Sequence, residues 1–160
     1  MRRRDREVTD FGEIMDIVSR CEIVRLGLVD DGVPYIVPMS FGYAVEGEQV
    51  TFVFHSALVG RKIDIINKNP YACFELDCSF QITKNEAPCK WGAQHESVIG
   101  YGDITLISDH DEKKAAMDLI MKRYGFEGEP IYGPHMFSRT ALYKLTVSEI
   151  AGKRNIPKAE

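Results

Sequence analysis

Four side chains that could bind an anion stand close together between residues 55 and 62. His55 and Ser56 end an apolar segment typical of a β-strand, and Arg61 and Lys62 lie in a segment typical of a helix. A helix N-terminus presents unpaired backbone N–H groups and the positive end of the helix dipole. An imidazole, a hydroxyl and two cations beside such a terminus therefore indicate a phosphate site.

A structural interpretation of the same turn stays open. Ser56 would then only cap the helix, and Arg61 and Lys62 would be solvated residues on an exposed face. His55 serves no evident capping purpose, which favours the anion site.

A second segment, residues 38–43, is apolar and aromatic. Its Gly42 permits a close approach of the backbone. The segment lies on a predicted strand that should pair with the strand ending at His55, so it should lie beside the phosphate site. A flat aromatic ligand with a phosphate tail would fit this arrangement, although Met39 and Phe41 could equally be core residues.

Alternating and helical periodicities predict the elements that position these residues. Capping boxes start helices at Asp10 and Asp109, and a third helix covers about residues 58–68. Strands are predicted at residues 23–29, 34–43, 49–55, 71–79, 96–107 and 141–149. About six strands with short loops and three peripheral helices predict a mainly β fold, a small antiparallel barrel.

Composition limits the classes of function. The 160 residues, 44% hydrophobic and 28% charged, predict one domain over residues 1–160 with frayed ends at 1–8 and 154–160. The net charge of −4 argues against broad nucleic-acid binding. Because no apolar run could span a bilayer and no signal-peptide core is present, we expect a cytoplasmic protein without a membrane partner.

Four cysteines occur without a CxxC pair, and in the cytosol they are expected to be free thiols. A metal site would need several of them to converge with His95, and Cys78 is predicted to lie on the apolar face of a strand. We therefore expect no metal. The cysteines are Cys21, Cys73, Cys78 and Cys89.

Four segments carry a resemblance that covers nearly the whole chain. They are VPYIVPMSFGY at 33–43, FHSALVGRKID at 54–64, APCKWGAQHESVIGYG at 87–102 and AGK at 151–153. In this order and spacing they resemble the pyridoxamine 5′-phosphate oxidase-related FMN-binding proteins, in particular the 5-nitroimidazole resistance (Nim-like) branch. The resemblance implies a split β-barrel of the antiparallel Greek-key type, and a homodimer with FMN at the subunit interface.

The resemblance also implies roles for individual residues. The 38–43 strand would run beside the isoalloxazine ring, the 55–62 turn would hold the phosphate, and the 97–98 segment would approach from the partner subunit. His55 would donate a proton or contact substrate, or else touch only the phosphate. Trp91 would stack on the flavin or merely cover the interface. The implied cofactor-binding residues are Pro38, Met39, Ser40, Phe41, Tyr43, His55, Ser56, Arg61, Lys62, Trp91, Ser97 and Val98.

Two departures from the family pattern concern the substrate more than the cofactor. Relatives often have an arginine where this chain has Glu96, so a cation that could face FMN or substrate is missing. An aromatic residue near the C-terminus of some relatives is also absent, and Ile156-Pro157 stands there instead.

The function that the resemblance implies is an FMN-dependent oxidoreductase. It would reduce small oxidised substrates such as nitro compounds with electrons from a reduced nicotinamide or another donor. The chain lacks a GxGxxG motif, so a nicotinamide would bind only transiently over the flavin. The alternatives are a non-catalytic flavin store or sensor, a true pyridoxamine 5′-phosphate oxidase, and a split barrel that binds haem or deazaflavin.

Overall fold

An eight-stranded antiparallel sheet forms the body of the protein, and three helices pack against it. The computed structural model describes residues 3–133 and 135–155. The helices are α1 (Phe11–Arg20), α2 (Arg61–Lys68) and α3 (His110–Arg123). The strands are β1 (Glu7–Val8), β2 (Val24–Asp30), β3 (Val33–Met39), β4 (Phe41–Glu46), β5 (Gln49–Ala57), β6 (Tyr71–Thr83), β7 (Gly92–Leu106) and β8 (Thr140–Asn155). Among the described residues, no helix is both long and apolar enough to cross a bilayer.

The strand order is β3-β2-β6-β7-β8-β5-β4, with β1 added to β8. The two strands at the ends of this order, β3 and β4, follow each other in the chain and are joined through Ser40. Within the described strands the sheet does not close into a full barrel. Ser40, which belongs to neither strand, therefore connects the two ends of the open sheet.

The inner face of the sheet holds the main core. Alternate residues of the central strands point inward, and most of their side chains are fully buried. Burying each of these apolar side chains contributes about 1.5–3 kcal/mol. The largest members are Phe41, Phe52, Phe54, Phe74, Leu26 and Leu76. A second cluster lies under α3 and includes Val53, Ile107, Ala116, Met117, Ile120 and Leu142.

The predicted helix starts of α1 and α3 are confirmed. The carboxylate of Asp10 accepts a hydrogen bond from the backbone N–H of Glu13 at 2.9 Å, and Asp109 accepts one from Glu112 at 2.8 Å. These bonds satisfy N–H groups that the first turn of a helix leaves unpaired. The helix predicted from about residue 58 begins later, at Arg61, because Gly60 at φ 139° holds a non-helical conformation.

The strand predicted over 34–43 is divided in the structure. It breaks at Ser40 into β3 and β4, which lie at opposite ends of the strand order. The apolar pattern runs through the break because Met39 and Phe41 both face the core. Local periodicity therefore could not locate the break.

The expectation of frayed ends is wrong for the parts that the structure describes. Glu7 and Val8 form β1, which pairs with Lys153 and Gly152, and Val8 is buried. The last strand continues past residue 149 to Asn155, because residues 150–155 pair with β7 as far as His95. The remaining residues of the predicted tails, 1–2 and 156–160, including Ile156-Pro157, lie outside the described residues.

Candidate functional site

An open cleft of about 470 Å³ lies beside the break between β3 and β4. It combines residues from the end of β3, the end of β5, the first turn of α2 and the start of β8. The lining residues are Pro38, Met39, Ser40, His55, Ser56, Ala57, Lys62, Arg139 and Thr140. Parts of the two segments predicted to bind one ligand, 38–43 and 55–62, thus meet here, through residues 38–40, 55–57 and 62.

The pairing pattern of β5 explains why a cleft forms at this place. The ladder between β4 and β5 begins at Phe41 and Phe54, whereas the ladder between β5 and β8 continues to Ala57. Residues 55–57 therefore have a strand neighbour on one side only. On the other side the chain bends at Ser40, and the end of β5 borders open space.

Lys62 brings a positive charge into this space. It shares a face of α2 with the buried Ile65 and Ile66, three and four residues later, so its side chain is half-buried. Its Nζ lies 3.1 Å from the Sδ atom of Met39, which is a weak acceptor. Within the described chain, no carboxylate lies within ion-pair distance of it. Burial lowers the pKa of Lys62 because desolvation disfavours the charged form.

His55 lies beside Lys62 in the cleft. Burial lowers the pKa of His55, and the neighbouring charge of Lys62 lowers it further. The neutral form of the imidazole is therefore favoured, and in that form one nitrogen is a donor and the other an acceptor. A neutral ring in this position can hold a proton at one nitrogen and accept one at the other.

Arg139 is a cleft residue that sequence analysis missed. It precedes β8, whose first residue, Thr140, pairs with Ala57 at the end of β5. The pairing brings an exposed arginine to the same cleft as Lys62. The contact joins segments about eighty residues apart, and the loop before Thr140 carries no local pattern that predicts it.

Arg61 points elsewhere, although it is adjacent to Lys62 in the sequence. Its Nε lies 3.3 Å from Oδ2 of Asp30, and its guanidinium lies 4.9 Å from the centre of the Tyr35 ring. It does not line the cleft. Consecutive helical residues point about 100° apart. Of the two cations predicted to hold a phosphate, the structure therefore places only Lys62 in the cleft.

Phe41 and Tyr43, predicted to lie beside a flavin ring, are separated from the cleft. The Phe41 side chain is fully buried, with the guanidinium of Arg123 4.1 Å from its ring centre. Tyr43 lies under the same guanidinium, at 5.4 Å. Their positions follow from the break at Ser40, after which β4 runs against α3.

Gly42 does permit a close backbone approach, but the approaching element is α3. A Cβ atom at Gly42 would lie 2.7 Å from the backbone N of Ile120 and from the carbonyl carbon of Leu119. Its small size therefore serves the packing of β4 on the helix.

The other predicted cofactor residues also lie outside this cleft. Trp91 is exposed and donates from Nε1 to the carbonyl oxygen of Asn85 at 2.6 Å. Val98 is fully buried in the core, so its side chain cannot reach a ligand. Ser97 alternates with Val98 along β7 and lies half-exposed on the outer face of the sheet.

Glu96 has a structural role that the sequence did not disclose. Its carboxylate is 3% exposed and accepts hydrogen bonds from Arg20 Nη1 at 2.5 Å, Arg154 Nε at 2.6 Å and Ser79 Oγ at 3.0 Å. The bond from Arg20, supported by those from Arg154 and Ser79, holds the pKa of Glu96 at about 2, against the opposing effect of burial. The carboxylate thus ties α1 to β6, β7 and β8 and does not face the cleft.

Comparison with known proteins places this arrangement in a family context. Residues 10–154 match the family model described as pyridoxamine 5′-phosphate oxidase. A comparison with curated protein sequences gave no match. The matched range of the family model, residues 10–154, includes all the residues that line the cleft.

Solved structures share the fold. A candidate 5-nitroimidazole antibiotic resistance protein from Bacteroides thetaiotaomicron is 27% identical, with a TM-score of 0.80 over 92% of this chain and 85% of that one. The FAD and heme binding protein of Mycobacterium smegmatis is 16% identical, with a TM-score of 0.80 over 97% and 76% of the two chains. The flavocytochrome Anf3 of Azotobacter vinelandii is 18% identical, with a TM-score of 0.77 over 98% and 72%. The last two support the fold alone, and the predicted mainly β, split-barrel class is confirmed.

Proposed function

The chain belongs to the pyridoxamine 5′-phosphate oxidase family, and we propose that it binds FMN in the cleft between the break at Ser40 and the end of β5. The observation that carries this proposal is Lys62. A half-buried ammonium that contacts a thioether and pairs with no carboxylate of the described chain is costly unless an anion joins it. A phosphate group supplies that anion.

The remaining residues of the cleft fit the same ligand. Its volume of about 470 Å³ falls within the range typical of small-molecule sites. Ser56 and Arg139 stand with Lys62 and would hold the phosphate, since hydroxyl and guanidinium donors bind phosphate oxygens well. Pro38 and Met39 offer apolar surface to the ring system. Arg61, engaged by Asp30, is not needed in this arrangement.

FMN, when bound, supplies hydride and electron transfer. The chain's own residues would orient the ring and manage protons. His55 is the proposed proton donor or substrate contact, because it lies in the cleft and an imidazole can carry a proton to or from a ligand near neutral pH. We propose that the protein reduces small oxidised compounds such as nitro compounds, with a reduced nicotinamide as electron donor. The similarity to the Bacteroides protein supports this substrate class.

We further propose that two copies of the chain associate through the outer face of the sheet. That face carries several exposed apolar side chains from neighbouring strands, which a second copy would cover. Pro38 belongs to this face through its pairing with Arg25 and also lines the cleft, so a docked copy would border the ligand. Ser97 lies on the same face. The exposed apolar residues are Val29, Ile36, Tyr71, Ile99 and Tyr101.

The proposal is tested first on the purified protein. We expect a yellow protein that releases FMN on heating and scatters light as a dimer of 18.1 kDa chains. Oxidation of NADH should then depend on an added nitroaromatic acceptor. Release of FAD or haem would show that the cofactor is not FMN. Bound FMN without NADH oxidation would indicate a flavin store or sensor and not an enzyme. A protein that neither carries nor takes up a flavin would refute the proposal.

A further inference from the structure

The hydroxyl of Tyr143 is a buried polar atom without a hydrogen-bond partner in the described part of the chain. Tyr143 is only 2% exposed and lies in the core among apolar side chains. A buried donor that makes no hydrogen bond is costly, and most such groups in folded proteins are paired. The exception therefore requires an explanation.

Tyr143 lies directly beneath the cleft. It stands opposite Phe54 in the ladder between β8 and β5, and Ser56 stands two residues further along the same face. Diagonal neighbours of this kind are within reach of a long side chain. Ser56 also lines the cleft, so this one residue is a neighbour both of Tyr143 and of a bound ligand. Burial raises the pKa of Tyr143, and the nearby Ser56 hydroxyl opposes this change.

Ser56 directs its own hydroxyl hydrogen away from this neighbour. Its Oγ donates to the carbonyl oxygen of Ala57 at 2.8 Å. A serine hydroxyl carries one donor and two acceptor positions, and it rotates readily. An anion in the cleft would offer that hydrogen a stronger acceptor than the carbonyl of Ala57.

We propose that Tyr143 is a positioning residue for the phosphate group of the cleft ligand and acts through Ser56. With the ligand bound, Ser56 donates to a phosphate oxygen, and its own oxygen accepts the hydrogen of Tyr143. The relay satisfies the buried hydroxyl and fixes the rotamer of Ser56. It rests on the proposed binding of FMN, and it assigns to a core residue a role in affinity.

The relay predicts an effect of Tyr143→Phe that a purely structural role of Tyr143 would not produce. In the free protein the Tyr143 hydroxyl makes no hydrogen bond of ordinary geometry with the described residues, so Tyr143→Phe should leave the melting temperature of the flavin-free protein unchanged or slightly raised. In the bound protein the variant loses one hydrogen bond of the relay. FMN affinity should therefore fall by about three- to tenfold, the range of a single hydrogen bond.

The experiment combines three variants with one control. Wild type, Tyr143→Phe, Ser56→Ala and the double variant are stripped of flavin, and FMN binding is titrated by quenching of flavin fluorescence. We expect Tyr143→Phe to cause little further loss in the Ser56→Ala background, because both changes break one relay. Tyr43→Phe, which removes a hydroxyl away from the cleft, serves as the control and should bind like wild type.

Two results of the FMN titration would overturn the relay alone. One is a Tyr143→Phe variant that binds FMN as tightly as the binding-competent wild type. The other is an equal loss from Tyr143→Phe in the presence and absence of the Ser56 hydroxyl. A clear drop in the melting temperature of flavin-free Tyr143→Phe would also contradict it, since the hydroxyl would then have a partner in the free state. Failure of wild type to bind FMN would refute the proposed function, and the relay with it.

Discussion

Replacement of Lys62 by alanine is the sharpest perturbation of the proposed phosphate site. The substitution removes the half-buried ammonium from the cleft but leaves the backbone of α2 with a good helix former. Because no carboxylate of the described chain pairs with Lys62, the change leaves no orphaned acid behind. We therefore expect the flavin-free variant to fold with nearly wild-type stability.

The expected loss of affinity follows from the position of the charge. Two unit charges 4 Å apart attract by about 1 kcal/mol in water and about 4 kcal/mol at an effective dielectric constant of ~20. Lys62 is half-buried and lies between these limits. A net contribution of about 2 kcal/mol corresponds to about a 30-fold weaker dissociation constant for FMN. Raising the salt concentration should reduce the difference between variant and wild type.

Arg61→Ala is the matched control. It removes the same charge one residue earlier, but Arg61 contacts Asp30 and Tyr35 and does not line the cleft. FMN titration by fluorescence quenching should show wild-type affinity for Arg61→Ala within about twofold, a difference below 0.5 kcal/mol. Equal losses in the two variants, or a loss only in Arg61→Ala, would refute the assignment of the phosphate to Lys62.

Three further predictions concern the fold and the protonation states. Glu96→Gln should lower the free energy of unfolding by about 3 kcal/mol at pH 7, because the ion pairs hold the pKa of Glu96 at about 2 instead of 4.5. This stabilisation is lost as the pH falls from 4.5 towards 2, so urea unfolding at pH 3 should show a smaller difference between variant and wild type. The same difference at both pH values would contradict the ion-pair argument. Gly42→Ala should cost about 1–3 kcal/mol, because its Cβ would press on the backbone of α3, so an unchanged melting temperature would disprove that contact. The pKa of His55 should lie below 6.5 and rise in Lys62→Ala; an NMR titration with no such rise would show that the Lys62 charge does not reach the ring.

The elements of the sheet could be predicted from the sequence because alternating apolar residues follow the pairing geometry of each strand. The break at Ser40 could not, because Met39 and Phe41 are both buried and the alternation continues through it. Which two ends of a sheet meet depends on the strand order, and the strand order is fixed by contacts between distant segments. Because of that one break, Phe41 and Tyr43 pack towards α3 and do not lie beside the ligand as the sequence predicted.

The candidate site was predictable in part. Residue types at 55–62 indicated an anion site, and the structure brings His55, Ser56 and Lys62 into one cleft. The direction of each cation depended on packing, since Lys62 follows the buried face of α2. Arg139 and Tyr143 gave no sequence signal, because one lies in a loop and the other has the pattern of an ordinary strand residue. Whether a hydroxyl is satisfied is visible only in three dimensions.

The central claim is that this cleft binds the phosphate end of FMN. The most direct measurement compares the affinities of the flavin-free protein for FMN and for riboflavin, which has the same ring and lacks the phosphate. We expect FMN to bind at least about tenfold more tightly, a difference of roughly 1.4 kcal/mol, and Lys62→Ala to remove most of that preference. Equal affinity for the two flavins, unchanged in Lys62→Ala, would contradict the claim.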